Sequence, residues 1–180
     1  LLLDPQVDII ITLGSISSSE ACYRKDLAKP VIAPYVLDAA FQKLPINNGT
    51  SGVRNLNYVS VPGTFDRDIK MFREIVPFNK LAILVNEHFL KAYPDIHANS
   101  KNYFGELNTD IQIISIGASV DDALNKLSDD FQAVYVLPLP HLPQAEYIKI
   151  PQELIKRKLP SFSYGGAERV EQGLLAGLNK

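Results

Sequence analysis

The sequence predicts an α/β protein built on parallel β-sheets. Apolar runs of strand length recur along the 180 residues, and stretches whose apolar residues have helical spacing separate them. Such alternation is typical of βαβ units, in which consecutive strands run parallel and helices cover the sheet. Hydrophobic residues make up 46% of the chain, which is enough for a substantial core in one domain or in two small lobes.

The N-terminal part of the chain supplies two of the predicted strands. The first strand, residues 7–13, leads into a helix over residues 17–27, and the second strand covers residues 31–35. We also expect a short helix within residues 37–44. The stretch PINNGTSG, residues 45–52, concentrates turn-forming residues and therefore predicts a domain boundary.

Beyond this boundary the sequence predicts a larger unit that can fold by itself. Residues 55–60 are expected to be extended, and residues 64–76 to form a helix that ends before Pro77. Four strands alternating with helices then suffice for a doubly wound sheet, whereas two strands in the first part do not easily close a core. The expected strands are residues 81–86, 111–116, 133–137 and 161–164, and the expected helices are residues 89–107, 120–127 and 144–158, with a last helix from Ala167.

Charge and composition argue against several classes of function. The formal net charge of −2 provides no basic surface for nucleic acid or an anionic membrane. No apolar run reaches the roughly 20 residues that a membrane-spanning helix needs. The single cysteine, Cys22, rules out an internal disulfide. The sequence begins at Leu1 without a signal-peptide pattern, so we interpret it as a processed chain or as part of a longer one.

The motifs of common catalytic, cofactor and metal sites are not found in the sequence. Gly14-Ser15 does not match the nucleophile elbow of hydrolases, and no glycine-rich nucleotide-binding motif occurs. The acidic pairs Asp121-Asp122 and Asp129-Asp130 suit helix starts or solvated surface. The sequence therefore predicts no enzyme, no cofactor and no metal site. The three histidines, which lack metal-ligand spacing, are His88, His97 and His141.

Polar and small residues that follow the predicted strands are the candidate binding residues. In an open parallel sheet, ligands bind beyond the carboxyl ends of the strands. Hydroxyl, carboxylate, amide and aromatic groups at such ends suit a small polar molecule. The candidates are Gly14, Ser15, Ser17, Tyr35, Asp38, Asn86, Tyr164 and Gly165, and further strand-end residues are Glu87, Gly117 and Pro138.

Most of these candidates also have a purely structural interpretation. Ser17 or Ser18 can be the N-cap of the first helix, which contributes about 1 kcal/mol to stability. Tyr35 and Tyr164 can be packing residues whose hydroxyls are satisfied, and Asp38 can cap the short helix expected after it. Both interpretations stay open at the level of the sequence.

Seven segments of the chain follow one another in the order found in one known family. They are residues 7–15 (VDIIITLGS), 29–38 (KPVIAPYVLD), 52–60 (GVRNLNYVS), 75–85 (IVPFNKLAILV), 132–138 (QAVYVLP), 159–162 (LPSF) and 170–178. In this order the chain resembles the substrate-binding proteins of ABC transporters, and within them the family that includes aromatic amino-acid receptors. Each segment alone is a weak match, but together they cover nearly the whole chain.

The resemblance implies a type I periplasmic-binding fold with Rossmann-like, doubly wound parallel sheets. Residues 1–52 would be a partial N-terminal lobe, residues 53–60 a hinge crossing, and residues 61–180 a complete C-terminal lobe. The first two strands of the usual N-terminal lobe are absent. The chain also has Ala39 where the family has proline, and Asn57-Tyr58 where it has Thr-Gly.

The resemblance further implies a non-enzymatic solute receptor of an ABC-type uptake system, with a membrane permease as partner. The ligand would be an amino acid or a similar molecule held in the cleft between the lobes. Ser15, Ser17 and nearby backbone N–H groups would bind its carboxylate, and Asp38 its ammonium group. Tyr35 and Tyr164 would offer stacking surfaces. A periplasmic or extracellular, membrane-associated location follows from this class.

Two other interpretations of function stay open. The incomplete first lobe also fits an interaction or sensory domain of a larger envelope protein that kept the receptor fold without binding a transport ligand. An enzyme is supported only by the α/β class, and a fold class does not determine function. A sheet edge left open by missing strands would also favour a homodimer through the N-terminal part.

Overall fold

Two parallel β-sheets, one in each of two units, organise the chain. The units are Leu1–Phe65 and Asp66–Lys180. Every strand pair in both sheets is parallel, so the predicted α/β class with parallel sheets is confirmed. The computed structural model describes residues 1–36, 38–40, 42–60, 64–93 and 108–178.

The first unit contains a three-stranded sheet in the order β1-β2-β3, with one helix, α1. Strand β2 is central, and its Val31 pairs with Ile10 on one side and with Leu56 on the other. The apolar side chains of β2 that face α1, together with Leu27 and Leu56, form the core of this unit. The elements are β1 Ile10–Ile11, α1 Ser15–Cys22, β2 Val31–Val36 and β3 Leu56–Ser60.

Three expectations for the first unit need correction. Helix α1 begins two residues before the expected start and ends at Cys22, five residues early, because the chain turns there to reach β2. The described part of residues 38–44 forms turns rather than a helix, while Leu37 and Phe41 lie outside the described residues. Residues 55–60 were expected to be an extended crossing and no more. Within them, β3 pairs with β2, so the sheet has three strands instead of two. The hinge role of residues 53–60 stays a prediction.

The second unit contains a five-stranded sheet in the order β5-β4-β6-β7-β8. The chain leaves β4 for β5 on one side and later crosses to β6 on the other, so β4 and β6 flank a topological switch point. The strands are β4 Lys80–Asn86, β5 Asp110–Ile116, β6 Ala133–Val136, β7 Ser161–Ser163 and β8 Ala176–Gly177. The helices are α2 Thr64–Ile75, α3 Glu87–Ala92, α4 Asp121–Asn125, α5 Gln144–Tyr147, α6 Lys149–Lys156 and α7 Ala167–Glu171.

The four strands and the first helix expected for this unit are confirmed to within one or two residues. Strand β8 was not expected, because two residues are too short to produce a periodic signal. The helix expected over residues 144–158 is divided at Ile148 into α5 and α6. Helix α3 covers the start of the segment 89–107, and residues 94–107 lie outside the described residues.

Strand β4, an interior strand of the five-stranded sheet, is buried on both faces. Its residues from Leu81 to Val85 are all apolar and all buried, the pattern of a parallel strand covered by helices on both sides. Helix α2 packs on the sheet through Phe72, whose ring stacks on Phe162 of β7 at a centroid distance of 5.1 Å, and its Ile69 is also buried. Among the described residues, no helix has the length and hydropathy needed to cross a membrane.

A buried carboxylate lies on the apolar face of α2. Asp68 follows Phe65 at helical spacing and is fully buried. The Tyr135 hydroxyl of β6 donates a hydrogen bond to Asp68 Oδ2 at 2.8 Å, and Arg67 lies 3.3 Å from Oδ1. Burial, followed by the neighbouring Asp68 charge, raises the pKa of Tyr135 well above its usual value. The tyrosine is therefore a neutral donor that helps to hold a buried charge.

We expect Tyr135→Phe to lower the free energy of unfolding by roughly 1–3 kcal/mol, because it removes a hydrogen bond from a fully buried carboxylate. Tyr147→Phe is the matched control, since Tyr147 is also buried but its hydroxyl has no hydrogen bond to a carboxylate among the described residues. Urea denaturation of both variants measures the difference. Equal stability of the two variants would show that the Tyr135 hydroxyl contributes nothing specific.

Candidate functional site

The turn after β1 presents the start of α1 without a side-chain cap. Gly14 is the N-cap residue, with φ 108° and ψ 157°, a backbone conformation that is essentially restricted to glycine. Gly14 makes no side-chain cap hydrogen bond, and the first turn of α1 contains no acidic residue. The first backbone N–H groups of a helix have no carbonyl partner within the helix, and here the N-cap residue has no side chain to supply one. Such a start favours a negatively charged group.

Ser17 and Ser18 do not act as the N-cap of α1, so that structural interpretation is wrong. Ser17 is exposed, and its hydroxyl donates to the carbonyl oxygens of Leu13 at 2.9 Å and of Gly14 at 3.1 Å. Because serine inside a helix can bond back to the preceding turn, this hydroxyl is engaged without capping. Gly14 occupies the cap position that the sequence interpretation assigned to serine.

Two further serines of the turn are buried and anchor α1 to the sheet. The Ser18 hydroxyl lies 2.9 Å from Thr12 Oγ1, and Ser18 Oγ also accepts a hydrogen bond from the backbone N–H of Tyr35 at 3.4 Å. Ser19 Oγ accepts a hydrogen bond from Gln42 Nε2 at 2.6 Å. Ser18 and Ser19 therefore hold the helix against the rest of the first unit and do not face solvent.

Tyr35 and Asp38 differ sharply in exposure, although both were predicted to contact a ligand. Tyr35 is 54% exposed on β2, which leaves much of its ring accessible. Asp38 is fully buried, its backbone N–H donates to Gln42 Oε1 at 3.2 Å, and its carbonyl accepts from the Gln42 N–H at 2.9 Å. The turn that follows Asp38 is not a helix, so its interpretation as a helix cap is also wrong.

In the second unit, the carboxyl end of β4 presents an amide and a carboxylate. Asn86 is the N-cap of α3, and its Oδ1 accepts a hydrogen bond from the His88 N–H at 2.8 Å. Glu87 Oε2 accepts a hydrogen bond from Lys91 at 3.1 Å, and this bond is the main reason why the pKa of Glu87 lies below its usual value. Asn86 therefore has a clear structural role, whereas Glu87 is a charged group at a strand end.

The neighbouring strand end brings in a histidine that sequence reasoning set aside. His141, from the loop after β6, has its Nε2 at 2.9 Å from the carbonyl oxygen of Gly117, which follows β5. Its Nδ1 is buried and finds no hydrogen-bond partner among the described residues. The His88 and His141 rings are perpendicular, with centroids 6.4 Å apart. His97 lies outside the described residues, and the described part of the chain contains no group of three potential metal ligands.

Tyr164 and Gly165 follow β7. The Tyr164 N–H donates to the Val136 carbonyl at 3.3 Å, and burial, followed by the charge of Asp68, raises the pKa of its phenol. A Cβ atom at Gly165 would lie only 2.6 Å from Cγ of Arg169, so glycine permits the close approach of α7. Gly165 therefore has a packing role, and a binding role for either residue stays a prediction.

The first unit also contains two grooves. One, of about 690 Å³, lies beside β1 and α1, is lined mainly by apolar residues and reaches Thr12 and Ser17. The other, of about 550 Å³, lies at the amino ends of β2 and β3, where Thr50 and Asn55 line it. Only the first groove contacts a predicted site residue.

Comparison with solved structures supports the fold. The crystal structure of an ABC domain in complex with L-Trp from Streptococcus pneumoniae matches 97% of this chain and 58% of its own length, at a TM-score of 0.67 and 16% identity. A conserved domain protein from Vibrio cholerae O1 biovar El Tor matches 95% of this chain and 57% of its own length, at a TM-score of 0.64 and 15% identity. No protein-family model and no curated protein matches the sequence.

The chain thus spans less than two thirds of the length of these two structures. Together with the two parallel sheets, the likeness confirms the predicted Rossmann-like fold of the periplasmic-binding type. At 15–16% identity it shows the fold alone.

We expect Gly14→Ala to lower the free energy of unfolding by about 1–3 kcal/mol, because the φ of Gly14 strains any residue with a Cβ atom. The nearest atom to such a Cβ, Ser17 Oγ, lies 3.9 Å away, so the cost comes from the backbone and not from a clash. Thermal and urea denaturation measure it. Glu20→Ala, on the exposed face of the same helix, is the control. An unchanged stability of Gly14→Ala would contradict the assigned backbone conformation.

Proposed function

We propose that the chain is the ligand-binding part of a non-enzymatic solute receptor of an ABC-type uptake system, and that its ligand is an amino acid or a similar small polar molecule. The fold supports this proposal, and one protein of the same fold was crystallised with L-Trp. The proposed partner is a membrane permease, and the proposed location is periplasmic or extracellular and membrane-associated.

The observation that carries the proposal is the start of α1 at the carboxyl end of β1, where the N-cap residue is glycine. Gly14 supplies no side chain, and no acidic residue occupies the first turn, so the positive end of the helix has no negative partner of its own there. A ligand carboxylate that accepts hydrogen bonds from the N–H groups of Ile16 and Ser17 would supply one. The hydroxyl of Ser17 already bonds to carbonyls, so its backbone is the better donor.

The remaining predicted residues have different strengths as ligand contacts. Tyr35 offers an exposed ring on which an apolar or aromatic side chain can pack. Tyr164, Asn86 and Gly165 follow strands of the second sheet, where ligands of open parallel sheets bind. The countercharge role proposed for Asp38 is the weakest, because its side chain has no exposed surface.

A second candidate function is an interaction domain of a larger envelope protein. Strand β1 pairs with β2 on one side, and apolar side chains around it are exposed, with Ile9 at 48%, Ile11 at 56% and Leu13 at 79%. An exposed apolar edge strand favours pairing with another chain, including a second copy of this one. A homodimer through the first unit is part of this proposal.

We expect at least one of the twenty L-amino acids to raise the melting temperature of the chain, corresponding to about 2.7 kcal/mol at a concentration of 100 Kd. Ser17→Pro is expected to weaken that binding roughly tenfold or more, because it removes one charge-assisted N–H donor. Proline is tolerated in the first turn of a helix, where the N–H groups have no partner within the helix, so the fold should persist.

Glu20→Gln, on the same helix, is the control and should bind like the wild type. Isothermal calorimetry measures both variants. If no amino acid stabilises the wild type, the receptor proposal fails and the interaction domain becomes the better account. If Ser17→Pro binds as tightly as the wild type, the start of α1 is not the carboxylate site.

A further inference from the structure

The strand register of the first sheet places apolar residues on the face opposite α1. Val31 and Leu56 pair in register, and both belong to the core that includes residues of α1. Successive side chains of a strand point to opposite faces of the sheet. The residues that follow in each strand, Ile11, Ile32 and Asn57, also pair in register and therefore lie on the other face.

This second face, which we call the open face, is exposed along its outer strands. The same alternation adds the residues two positions away from Ile11 and Asn57. Val59 is 60% exposed, and the apolar residues in and beside β1 are exposed to a similar extent. The open face consists of Ile9, Ile11, Leu13, Ile32, Asn57 and Val59.

An exposed apolar face is unusual for a parallel sheet. Such sheets occur almost only with both faces covered, because the crossover helices pack on them. Strand β4 of the second sheet follows this rule, since its residues from Leu81 to Val85 are all buried. In the first sheet, α1 covers one face, so we expect a covering element on the open face as well.

The size of the open face decides between a helix and a second copy of the chain. With strands about 4.8 Å apart and a rise of about 3.3 Å per residue, the face measures roughly 10 Å by 13 Å. A stable dimer buries about 800 Å² on each partner, which is several times this area. A helix is about 10 Å wide, and about nine of its residues span 13 Å. One helix therefore fits the face.

A cation at one end of the open face gives the covering helix a direction. Arg54 is exposed and has no ion-pair partner in the part of the chain that the structure describes. It lines the groove at the amino ends of β2 and β3 together with Ile9, Ile32 and Asn57, so the cation and the open face border one space. The C-terminal end of a helix carries a partial negative charge, and acidic side chains there would add to it. The helix would thus run antiparallel to the strands.

We propose that the open face binds an amphipathic α-helix of a partner protein, with its apolar stripe on β1 and β2 and an acidic C-terminal end beside Arg54. Such helices bind apolar surfaces through side chains at i, i+3, i+4 and i+7. The inference goes beyond the receptor proposal, because the open face lies on the side of the sheet away from α1. It also differs from strand pairing at the edge of β1, which would leave this face uncovered.

The test measures the binding of three labelled peptides to the full chain by fluorescence anisotropy. Each peptide has about 18 residues, long enough to form a helix in water. The first has leucines at i, i+3, i+4 and i+7, alanine and glutamine elsewhere, and glutamate in its last turn. The second has the same composition with the leucines spread around the helix. The third has lysine in place of the glutamate.

Two sets of variants locate the binding. Ile11→Thr combined with Val59→Thr keeps β-branched residues in the strands and is expected to weaken the first peptide about tenfold, because two apolar contacts are lost. Arg54→Gln is expected to weaken the first peptide about two- to fivefold, the range of one exposed ion pair, without weakening the third. Ile155→Thr, an exposed apolar residue of the second unit, is the control and should bind like the wild type.

Each result supports or overturns the inference. Binding of the first peptide but not of the second, lost in the double variant, supports it. No binding of the first peptide, or equal binding of the second, overturns it. A dimer in light scattering that the double variant abolishes would show that a second copy covers the open face instead. Amino-acid binding without peptide binding would overturn this inference and leave the receptor proposal standing.

Discussion

Parallel pairing of the strands is the constraint on which the rest of the structure depends. Because every described pair is parallel, all strands of a sheet end at the same edge, and the residues that follow them are gathered there. Parallel strands must be joined by crossover connections, whose helices cover the faces of the sheet. An interior strand such as β4 is therefore buried on both faces and is apolar along its buried length. The start of α1 after Gly14 and the Glu87 carboxylate after β4 both lie at such edges.

Much of the fold could be predicted from the sequence because its signals are local. Strands β4 and β6 are largely continuous apolar runs, β5 is rich in isoleucine, and α2 has a clear apolar stripe, so each was located to within a residue or two. Strand β8 could not be predicted, since two residues carry no period. The pairing of β3 with β2 depends on contacts between residues more than 20 positions apart, which the pattern of either segment alone does not contain.

The candidate site was less predictable, because contacts between distant segments of the chain determine which of its residues are exposed and which are buried or hydrogen-bonded. Polar residues at strand ends could be named in advance, but their exposure could not: Asp38 is buried by its own turn, while Tyr35 remains accessible. His141 was set aside for its lack of metal-ligand spacing, although its role depends on the carbonyl of Gly117, 24 residues away. The four serines at positions 15, 17, 18 and 19 cannot be told apart from the sequence. In the structure, Ser18 and Ser19 are buried and anchor α1.

The central claim is that the carboxyl ends of the parallel strands carry the ligand site. Amide chemical-shift mapping of the ¹⁵N-labelled chain, titrated with an amino acid or amine that binds, tests it most directly. The account predicts that the amides of Ile16 and Ser17, at the start of α1, shift in proportion to occupancy. Shifts confined to the opposite ends of the strands, at Gly52 and Asn55 in the polar groove, would contradict it.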